Sequence, residues 1–372
     1  MCRMTAVRMN IPGRRTAARG HVLMLYCWLA ALCCGAVGCS DEPLNPPPIV
    51  AAAPDTTSHE FVWDVQYFGD GDSYLNGIVA LGDTSIWLLG RFHLRKPDGT
   101  LDRETKYNCV RWDGTTWTYQ KIESANSHTQ LNADDMSFGA PLADGRVLFC
   151  TGGSVAWWNG RRYYPDYDFV NVFDDTRGLR AVGHIKNRLV LVGSSGSILL
   201  YENKTYRYLA SGTTQDFIDV WSAGDTTMCF ASGGLSSDAP SRIYRVVGDR
   251  VDLLPDTTIK KHMTSIWCDA NGRIVVAGDG VYRNTTNWRV RESWISGYKN
   301  TMSAKSWYDI FVAGHYGSIQ HYNGRTWREY KNFFTPTGTN YFTCSTYDGR
   351  DVYIGGNRNG DCILVHGRKI GP

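Results

Sequence analysis

One sequence pattern recurs along the chain about every 40 residues, which is the spacing of a repeat architecture. The clearest copy is VAGHYGSIQHYNGRTW at 312–327, with weaker copies at 151–164 and 191–206. In each copy a short apolar run ends in glycine, which is typical of a strand covered on both faces. A later Asn-Gly in the clearest copy favours a type I′ hairpin. The glycines that mark the seven copies are Gly90, Gly152, Gly193, Gly233, Gly278, Gly314 and Gly355.

Four short strands in each copy predict a β-propeller, and a solenoid is the main alternative. Ring closure distinguishes the two architectures. The seventh copy, at 341–367, has room for three strands, whereas FVWDVQYF at 61–68 is a strand-like run ahead of the first copy. We therefore predict an all-β, seven-bladed β-propeller at 60–372, whose last blade is closed by the N-terminal strand at about 61–68. Closure of this kind removes the exposed sheet edges at the two ends of the chain.

The N-terminal segment, residues 1–38, has the pattern of a lipoprotein signal peptide. Its first 20 residues contain five arginines and no acidic residue, and the apolar run at 22–34 is too short for an ordinary membrane span. The segment ends in AVGC, which resembles the bacterial lipobox although Ala36 stands where leucine is usual. We expect cleavage before Cys39 and lipidation of Cys39. A soluble secreted protein with an incidental cysteine is the alternative.

Residues 39–59 are rich in proline and small residues, which predicts a semi-extended tether. With a lipid on Cys39, the membrane becomes a partner and the bacterial outer membrane the expected location, facing the periplasm or the cell surface. The five arginines before residue 20 leave 34 basic against 36 acidic side chains in the rest of the chain. That balance gives no reason to expect a nucleic-acid partner.

The six cysteines beyond Cys39 form no CxxC pair, so no zinc or redox centre is predicted. Each lies in an apolar strand, where cysteine acts as a small hydrophobe. A disulfide between Cys109 and Cys362 is the open alternative, since an oxidising envelope permits it. GDGDS at 69–73 lacks the remaining ligands of a calcium loop, so turn formation is the preferred interpretation. No metal or cofactor is expected.

The candidate functional positions lie in loops at one mouth of the propeller channel. These loops join the fourth strand of one blade to the first strand of the next, and the second strand of a blade to its third. Their side chains have no role that the repeat imposes, which favours binding over packing. The binding candidates are Tyr316, His315, Asp174, Lys261, His262, Tyr298 and Arg358.

Two acidic pairs and several tryptophans suggest other roles. Asp134-Asp135 and Asp174-Asp175 could supply an acid and a base if two carboxylates met at one bond, but such pairs more often cap turns. Tryptophans such as Trp117 and Trp327 recur at one blade position, as packing requires, so we interpret them as core or interface residues rather than sugar-stacking platforms.

The stretch DIFVAGHYGSIQHYNGRTW at 309–327 resembles the repeat of bacterial extracytoplasmic β-propeller lipoproteins, which approximates DVFAVGxxGxIxHYDGxxW. Some members of that family are labelled glucosyltransferase-like. The resemblance covers roughly residues 60–367 and implies a fold, but no catalytic residues. The expected function is therefore a non-enzymatic binding or scaffold module that contacts a protein or glycan. The alternative is a carbohydrate-active enzyme, of glycosyl hydrolase or transferase type, that uses carboxylates at the mouth.

Overall fold

A computed structural model describes the propeller with short gaps. The described residues are 56–125, 131–173, 178–185, 187–231, 240–255, 259, 262–284, 298–330, 333 and 340–371. The predicted signal peptide, Cys39 and most of the tether lie outside them, as do Asp174 and Lys261. No helix in the described part of the chain is long and apolar enough to cross a membrane.

The described strands form seven antiparallel sheets, which are the blades. The chain enters through β1 (Phe61–Phe68). Blade 1 contains β2 (Tyr74–Ala80), β3 (Ile86–Arg95), β4 (Leu101–Trp112) and β5 (Trp117–Gln120). Blade 2 contains β6 (Ser124–Ala125), β7 (Leu131–Asn132), β8 (Phe138–Pro141), β9 (Val147–Cys150), β10 (Val155–Trp158) and β11 (Tyr163–Pro165), and α1 (Tyr167–Val170) follows it. Blade 3 contains β12 (Leu179–Ile185), β13 (Arg188–Gly193), a 3-10 turn (Ser194–Gly196), β14 (Ile198–Glu202) and β15 (Thr205–Leu209).

The remaining blades repeat the four-strand meander. Blade 4 contains β16 (Phe217–Ala223), β17 (Thr226–Ala231), β18 (Arg242–Val247) and β19 (Arg250–Leu253). Blade 5 shows β20 (Met263–Cys268), β21 (Ile274–Gly278) and β22 (Gly280–Arg283) within the described residues. Blade 6 contains β23 (Lys299–Ser306), β24 (Asp309–Gly314), β25 (Ile319–Tyr322) and β26 (Trp327–Tyr330). Blade 7 contains β27 (Asn340–Tyr347), β28 (Asp351–Arg358) and β29 (Asp361–Lys369).

The N-terminal strand closes the ring, as the sequence predicts. Strand β1 pairs antiparallel with β29 over its whole length, from Phe61 opposite Lys369 to Phe68 opposite Cys362. It is therefore the outer strand of blade 7. The first strands of neighbouring blades also contact one another around the full circle, with β27 against β2. The seven-bladed propeller and the 61–68 boundary of the closing strand are both confirmed.

The hydrophobic core lies between neighbouring blades rather than in one central layer. The second strand of blade 6, β24, is buried at every position. One apolar cluster joins Trp267 and Val275 of blade 5 to Met302 and Val312 of blade 6. Because each sheet is covered on both faces by its neighbours, the sequences of its inner strands are continuous apolar runs and do not alternate between apolar and polar residues.

The repeated glycine is explained by a bulge in the first strand of the blade. A β-carbon on Gly314 would lie 2.0 Å from the carbonyl oxygen of Tyr298, just before the register shift in β23. Gly90 meets the carbonyl of Tyr74 in the same way, also at 2.0 Å. The position thus favours glycine because another backbone approaches closely, not because of its dihedral angles.

This bulge corrects three of the seven marker glycines. In blade 2, a β-carbon on Gly152 would meet no atom within 4 Å, and the start of β8 is paired with Cys150 instead. In blade 7 the residue opposite the bulge is Gly356, whose β-carbon would meet the carbonyl of Tyr341 at 2.3 Å, and not Gly355. In blade 4 the residue opposite the bulge is Ala231 rather than Gly233, which lies outside the described residues.

The tryptophans of the fourth strands pack less deeply than the sequence suggested. Trp117 lies directly opposite Trp112, and Trp327 directly opposite Tyr322, with ring centroids 5.3 Å and 5.2 Å apart. All four rings are only partly buried. They are cross-strand pairs that stabilise the hairpin between the third and fourth strands. The packing interpretation is thus supported for these positions, but a fully buried indole such as Trp87 is the larger core element.

The six cysteines of the propeller are all buried and all free. The alternative disulfide between Cys109 and Cys362 is therefore not formed in this structure. Burial raises the pKa of the Cys344 thiol to about 12, which disfavours the reactive thiolate. The thiols serve as small apolar side chains.

Candidate functional site

Strand direction places the predicted loops at one mouth of the channel. In each blade the first strand starts, and the second strand ends, at the same end of the sheet. Tyr298 directly precedes β23 and His262 directly precedes β20, while His315 and Tyr316 form the turn after β24. The structure therefore brings four of the predicted binding residues to a shared rim.

Five side chains form a continuous row along this rim, which we call the aromatic arc: His262, Tyr298, His315, Tyr316 and Tyr341. The His262 and Tyr298 rings are stacked with centroids 5.4 Å apart, and the Tyr298 hydroxyl is hydrogen-bonded to His262 Nδ1. His315 packs edge-on against Tyr298 at 5.3 Å and lies 6.2 Å from both Tyr316 and Tyr341. The arc thus spans blades 5, 6 and 7.

The turn after β24 fixes the backbone and projects Tyr316 outward. The His315 N–H donates to the Tyr298 carbonyl at 3.0 Å, and the Tyr316 N–H donates to the Asn340 carbonyl at 2.9 Å. Tyr316 has a φ of 58° and its side chain is 84% exposed. A non-glycine residue in this left-handed region costs about 1 kcal/mol, which the surrounding structure must offset. A strained residue presenting an exposed ring is a recurrent feature of binding surfaces.

The His262–Tyr298 pair of the arc is neutral at neutral pH. Burial lowers the pKa of His262 below its ordinary value, so its imidazole carries no charge there. Burial also raises the pKa of Tyr298 to about 12, so the phenol stays protonated. The pair is a hydrogen-bonded aromatic platform.

Arg358, another predicted binding residue, does not join the arc. Its guanidinium donates to the Tyr67 hydroxyl at 2.7 Å, in the outer strand β1 of blade 7. Arg358 therefore lies at the periphery of the propeller face, close to the mouth loops in sequence but directed away from the channel. Asp174 and Lys261 lie outside the described residues.

Alignment of the blades on the bulge reveals residues that the sequence analysis missed. The position before the bulge holds Tyr74 in blade 1, His262 in blade 5, Tyr298 in blade 6 and Tyr341 in blade 7. These four blades are consecutive around the ring. Blade 3 holds Gly178 at this position, so the repeat itself does not require a ring there. Spacing from the bulge glycine is the signal that could have found Tyr74 and Tyr341.

A cavity of about 650 Å³ adjoins the arc between blades 7 and 1, and we call it the blade 7/1 cavity. It includes Tyr341 of the arc. Its other polar walls come from residues near the start of β2 and from the extended β3–β4 hairpin. The lining residues are Asp72, Ser73, Tyr74, Arg91, His93, Arg103, Lys106, Tyr341, Asn357 and Gly360.

Asp135, one of the predicted acid-base candidates, lies behind the wall of this cavity. Its carboxylate accepts hydrogen bonds from Arg91 and Tyr74 and an ion pair from Lys106 at 3.1 Å. Burial acts to raise the pKa of Asp135, but the bonds from Arg91, Tyr74 and Lys106 outweigh it and hold the pKa below its ordinary value. Asp135 is thus a permanent anion that positions two cations, which is a poor state for a proton donor. Its neighbour Asp134 is exposed.

The central channel, of about 520 Å³, offers one carboxylate among its described lining residues, Asp219. Burial raises the pKa of Asp219 to about 6, and its oxygens accept from the Ile266 N–H at 2.8 Å and the Ser265 hydroxyl at 2.9 Å. A two-carboxylate arrangement across the channel is therefore not present in the described part of the molecule.

The acidic stretch at 69–73 forms a turn, in agreement with the preferred interpretation. The Ser73 N–H donates to the Asp70 carbonyl at 3.1 Å, and Asp72 pairs with Arg103 at 2.6 Å. Within the described ranges, no group of three or more His, Cys, Asp or Glu side chains is arranged to hold a metal ion.

No protein-family model matches the chain, and no curated protein matches its sequence. The three solved structures named below resemble it in fold alone, because they are 9 to 12% identical. YCF48 bound to a D1 peptide is 12% identical with a TM-score of 0.60, covering 85% of this chain and 100% of that one. Virginiamycin B lyase from Staphylococcus aureus is 11% identical with a TM-score of 0.57, covering 84% and 100%. The WD40 β-propeller domain of Doa1 is 9% identical with a TM-score of 0.58, covering 82% and 97%. The fold is thus one that hosts both binding modules and an enzyme.

Proposed function

We propose that the chain is a non-enzymatic cell-envelope lipoprotein whose propeller binds a protein or glycan partner through the aromatic arc. The observation that carries this proposal is the run of Tyr74, His262, Tyr298 and Tyr341 at one position in four consecutive blades. Rings at that position are not required for packing, since blade 3 has Gly178 there. Rigid aromatic side chains provide large contact area at low entropic cost, and they dominate binding energy at protein surfaces.

The arc can be tested by separating partner loss from unfolding. Tyr316→Ala and Tyr341→Ala are each expected to weaken capture of the envelope partner by about 30-fold, the effect of losing an interface residue worth about 2 kcal/mol. The free energy of unfolding is expected to change by about 0.5 kcal/mol for Tyr316→Ala, because its side chain is exposed. Capture from envelope extract and thermal melting are measured on the same preparations.

Tyr67→Ala is the matched control for these variants. Tyr67 is also an exposed tyrosine, at 50%, but it lies on the outer strand of blade 7 beside Arg358. We expect Tyr67→Ala to retain the partner. Equal capture by all three variants, or loss of capture only where the melting temperature also falls, would remove the arc from the binding surface.

The lipid anchor rests on the sequence AVGC at 36–39 after an apolar run. Cys39→Ala is expected to abolish acyl labelling and to release the protein from the membrane fraction, because the cysteine thiol is the attachment point. A variant that still carries lipid and sediments with membranes would contradict the proposed location. Arc binding would be unaffected by that result.

An enzymatic function is the second candidate, and one observation favours it. His262 and Tyr298 form a hydrogen-bonded neutral pair at the mouth, which could accept and donate a proton during catalysis. One solved neighbour is a catalytically inactive histidine-to-alanine variant of virginiamycin B lyase with quinupristin, at 11% identity. An enzyme that uses a pair of carboxylates has less support, since Asp219 is the one carboxylate among the described residues that line the channel. Turnover of a captured ligand that is lost in His262→Ala would favour the enzyme.

A further inference from the structure

The blade 7/1 cavity has an excess of positive charge. Arg91 and Lys106 line it, and both are held by one carboxylate, Asp135, which lies behind its wall. The other ion pair at the cavity, Arg103 with Asp72, is exposed and balanced. Two fixed cations that share a single anion leave a net charge of one in a partly enclosed space, where charge acts more strongly than in bulk water.

The cavity also has more hydrogen-bond donors than acceptors. Asn357 is buried, and its side-chain oxygen accepts the Leu75 N–H at 2.9 Å, which leaves its amide nitrogen as a donor at the cavity wall. Directly opposite Asn357 in the sheet, Tyr341 contributes a ring to the wall. Within the described residues, neither the amide nitrogen nor the Tyr341 hydroxyl has a protein partner. The matching ligand is therefore anionic and rich in oxygen acceptors.

The shape of the site favours a compact ring over an extended peptide. The volume of about 650 Å³ falls within the range of roughly 300–1,000 Å³ that small-ligand sites occupy. Strands β3 and β28, which carry Arg91 and Asn357, each pair with a strand on both sides. The two strands that carry Arg91 and Asn357 thus offer no free backbone edge of the kind that extended peptides join.

We propose that the blade 7/1 cavity binds the carboxylate of an acidic sugar, a uronic acid, whose ring packs against Tyr341. This inference rests on the proposed function and specifies its ligand class. The carboxylate pairs with Arg91 and Lys106, and the sugar hydroxyls accept from the Asn357 amide and the Tyr341 hydroxyl. Neighbouring sugar units extend over the aromatic arc, which begins at Tyr341.

The test compares two probes that share the same sugar rings, one with free carboxylates and one with methyl esters. Calorimetric titration of the full chain with a trimer of 1,4-linked galacturonic acid is expected to show binding. The fully methyl-esterified trimer is expected to bind at least tenfold more weakly, because esterification removes the anion and leaves the rings. Equal affinity for both trimers, or no binding of the acid form, would overturn the inference.

Protein variants locate the binding in the cavity. Lys106→Met removes one cation, and Asn357→Asp keeps the oxygen that accepts the Leu75 N–H while replacing the donor with an anion. Each is expected to weaken binding of the acid trimer at least tenfold. Lys121→Met is the matched control, because Lys121 is an exposed lysine of blade 1 that packs near Tyr107 outside the cavity. An equal loss in Lys121→Met would show general charge attraction instead.

A hexaglutamate peptide tests the competing ligand class. We expect no competition with the acid trimer, and tighter binding of the peptide than of the trimer would replace the sugar with an acidic protein segment. The two proposals can fail separately. If no trimer binds but Tyr316→Ala still loses the envelope partner, only the sugar inference fails; if the trimer binds while the arc variants keep their partner, the proposed partner surface fails instead.

Discussion

A chain that begins at residue 69 is expected to lose cooperative unfolding, whereas a chain that begins at residue 56 retains the full melting temperature. The shorter chain lacks β1, so β29 loses all eight paired residues and becomes an open edge. It also loses the buried rings Phe61 and Phe68. Each buried phenylalanine contributes about 3 to 5 kcal/mol, and two of them approach the 5 to 15 kcal/mol that stabilises a typical domain. Calorimetry and near-ultraviolet circular dichroism measure the difference.

Point variants and a peptide distinguish strand loss from general damage. Phe61→Ala is expected to lower the free energy of unfolding by about 3 to 5 kcal/mol, and Val62→Ala, which is 62% exposed on the same strand, by about 0.5 kcal/mol or less. A synthetic peptide of residues 56–68 should restore the melting transition of the shorter chain in proportion to its concentration. Equal melting temperatures for the two truncated chains would contradict closure by β1.

Asp309→Ala is expected to lower the free energy of unfolding by about 3 to 5 kcal/mol, because it removes the carboxylate that three side chains share in a buried cluster between blades 6 and 7. The Asp309 carboxylate accepts from His321 at 2.8 Å, from the Tyr347 hydroxyl at 2.9 Å and from Lys369 at 3.1 Å. All three partners are nearly or fully buried. Without Asp309, the Lys369 ammonium is left in the interior without a counter-ion. Chemical denaturation measures the loss.

Asp351→Ala is the matched control for the buried cluster. Asp351 starts β28 as Asp309 starts β24, and it pairs with His366 at 2.7 Å and Arg368 at 2.8 Å. Its partners are 23% and 43% exposed, so water can replace the lost carboxylate. A cost of about 1 to 2 kcal/mol is expected. If both variants lost the same free energy of unfolding, burial of the partner side chains would not explain the loss in Asp309→Ala.

The architecture could be predicted from the sequence because most blades repeat the same short strands, turns and close backbone contact. The glycine spacing reflects a close approach between two backbones. The strand-like run at 61–68 lies ahead of the first copy, and the seventh copy has room for three strands, so the run supplies the fourth strand of blade 7. The three wrong marker glycines, Gly152, Gly233 and Gly355, show the limit of this signal. Gly355 and Gly356 are adjacent, and only the register of β27 decides which of them faces the Tyr341 carbonyl.

The candidate site could be predicted only in part. Tyr298, His315 and Tyr316 were found because they lie in loops between recognisable strands. Tyr74 and Tyr341 were missed because they lie at the starts of strands. Tyrosine is common in strands, so its presence there does not indicate a binding role.

The charge cluster of the cavity depends on longer-range structure. Lys106 in β4 of blade 1 meets Asp135, which precedes β8 of blade 2, at 3.1 Å. The two residues are 29 positions apart in the sequence, and no local sequence pattern predicts a contact over that separation.

The central claim is that the partner approaches the mouth that carries the aromatic arc. The most direct measurement places a photo-crosslinking phenylalanine derivative at Tyr316 or at Leu81 in the full chain within the intact envelope. Leu81 is exposed in the turn between β2 and β3, at the opposite mouth of the channel. We predict a discrete crosslinked product from position 316 that Tyr341→Ala removes, and none from position 81. A product from position 81 alone, or the same product from both positions, would contradict the claim.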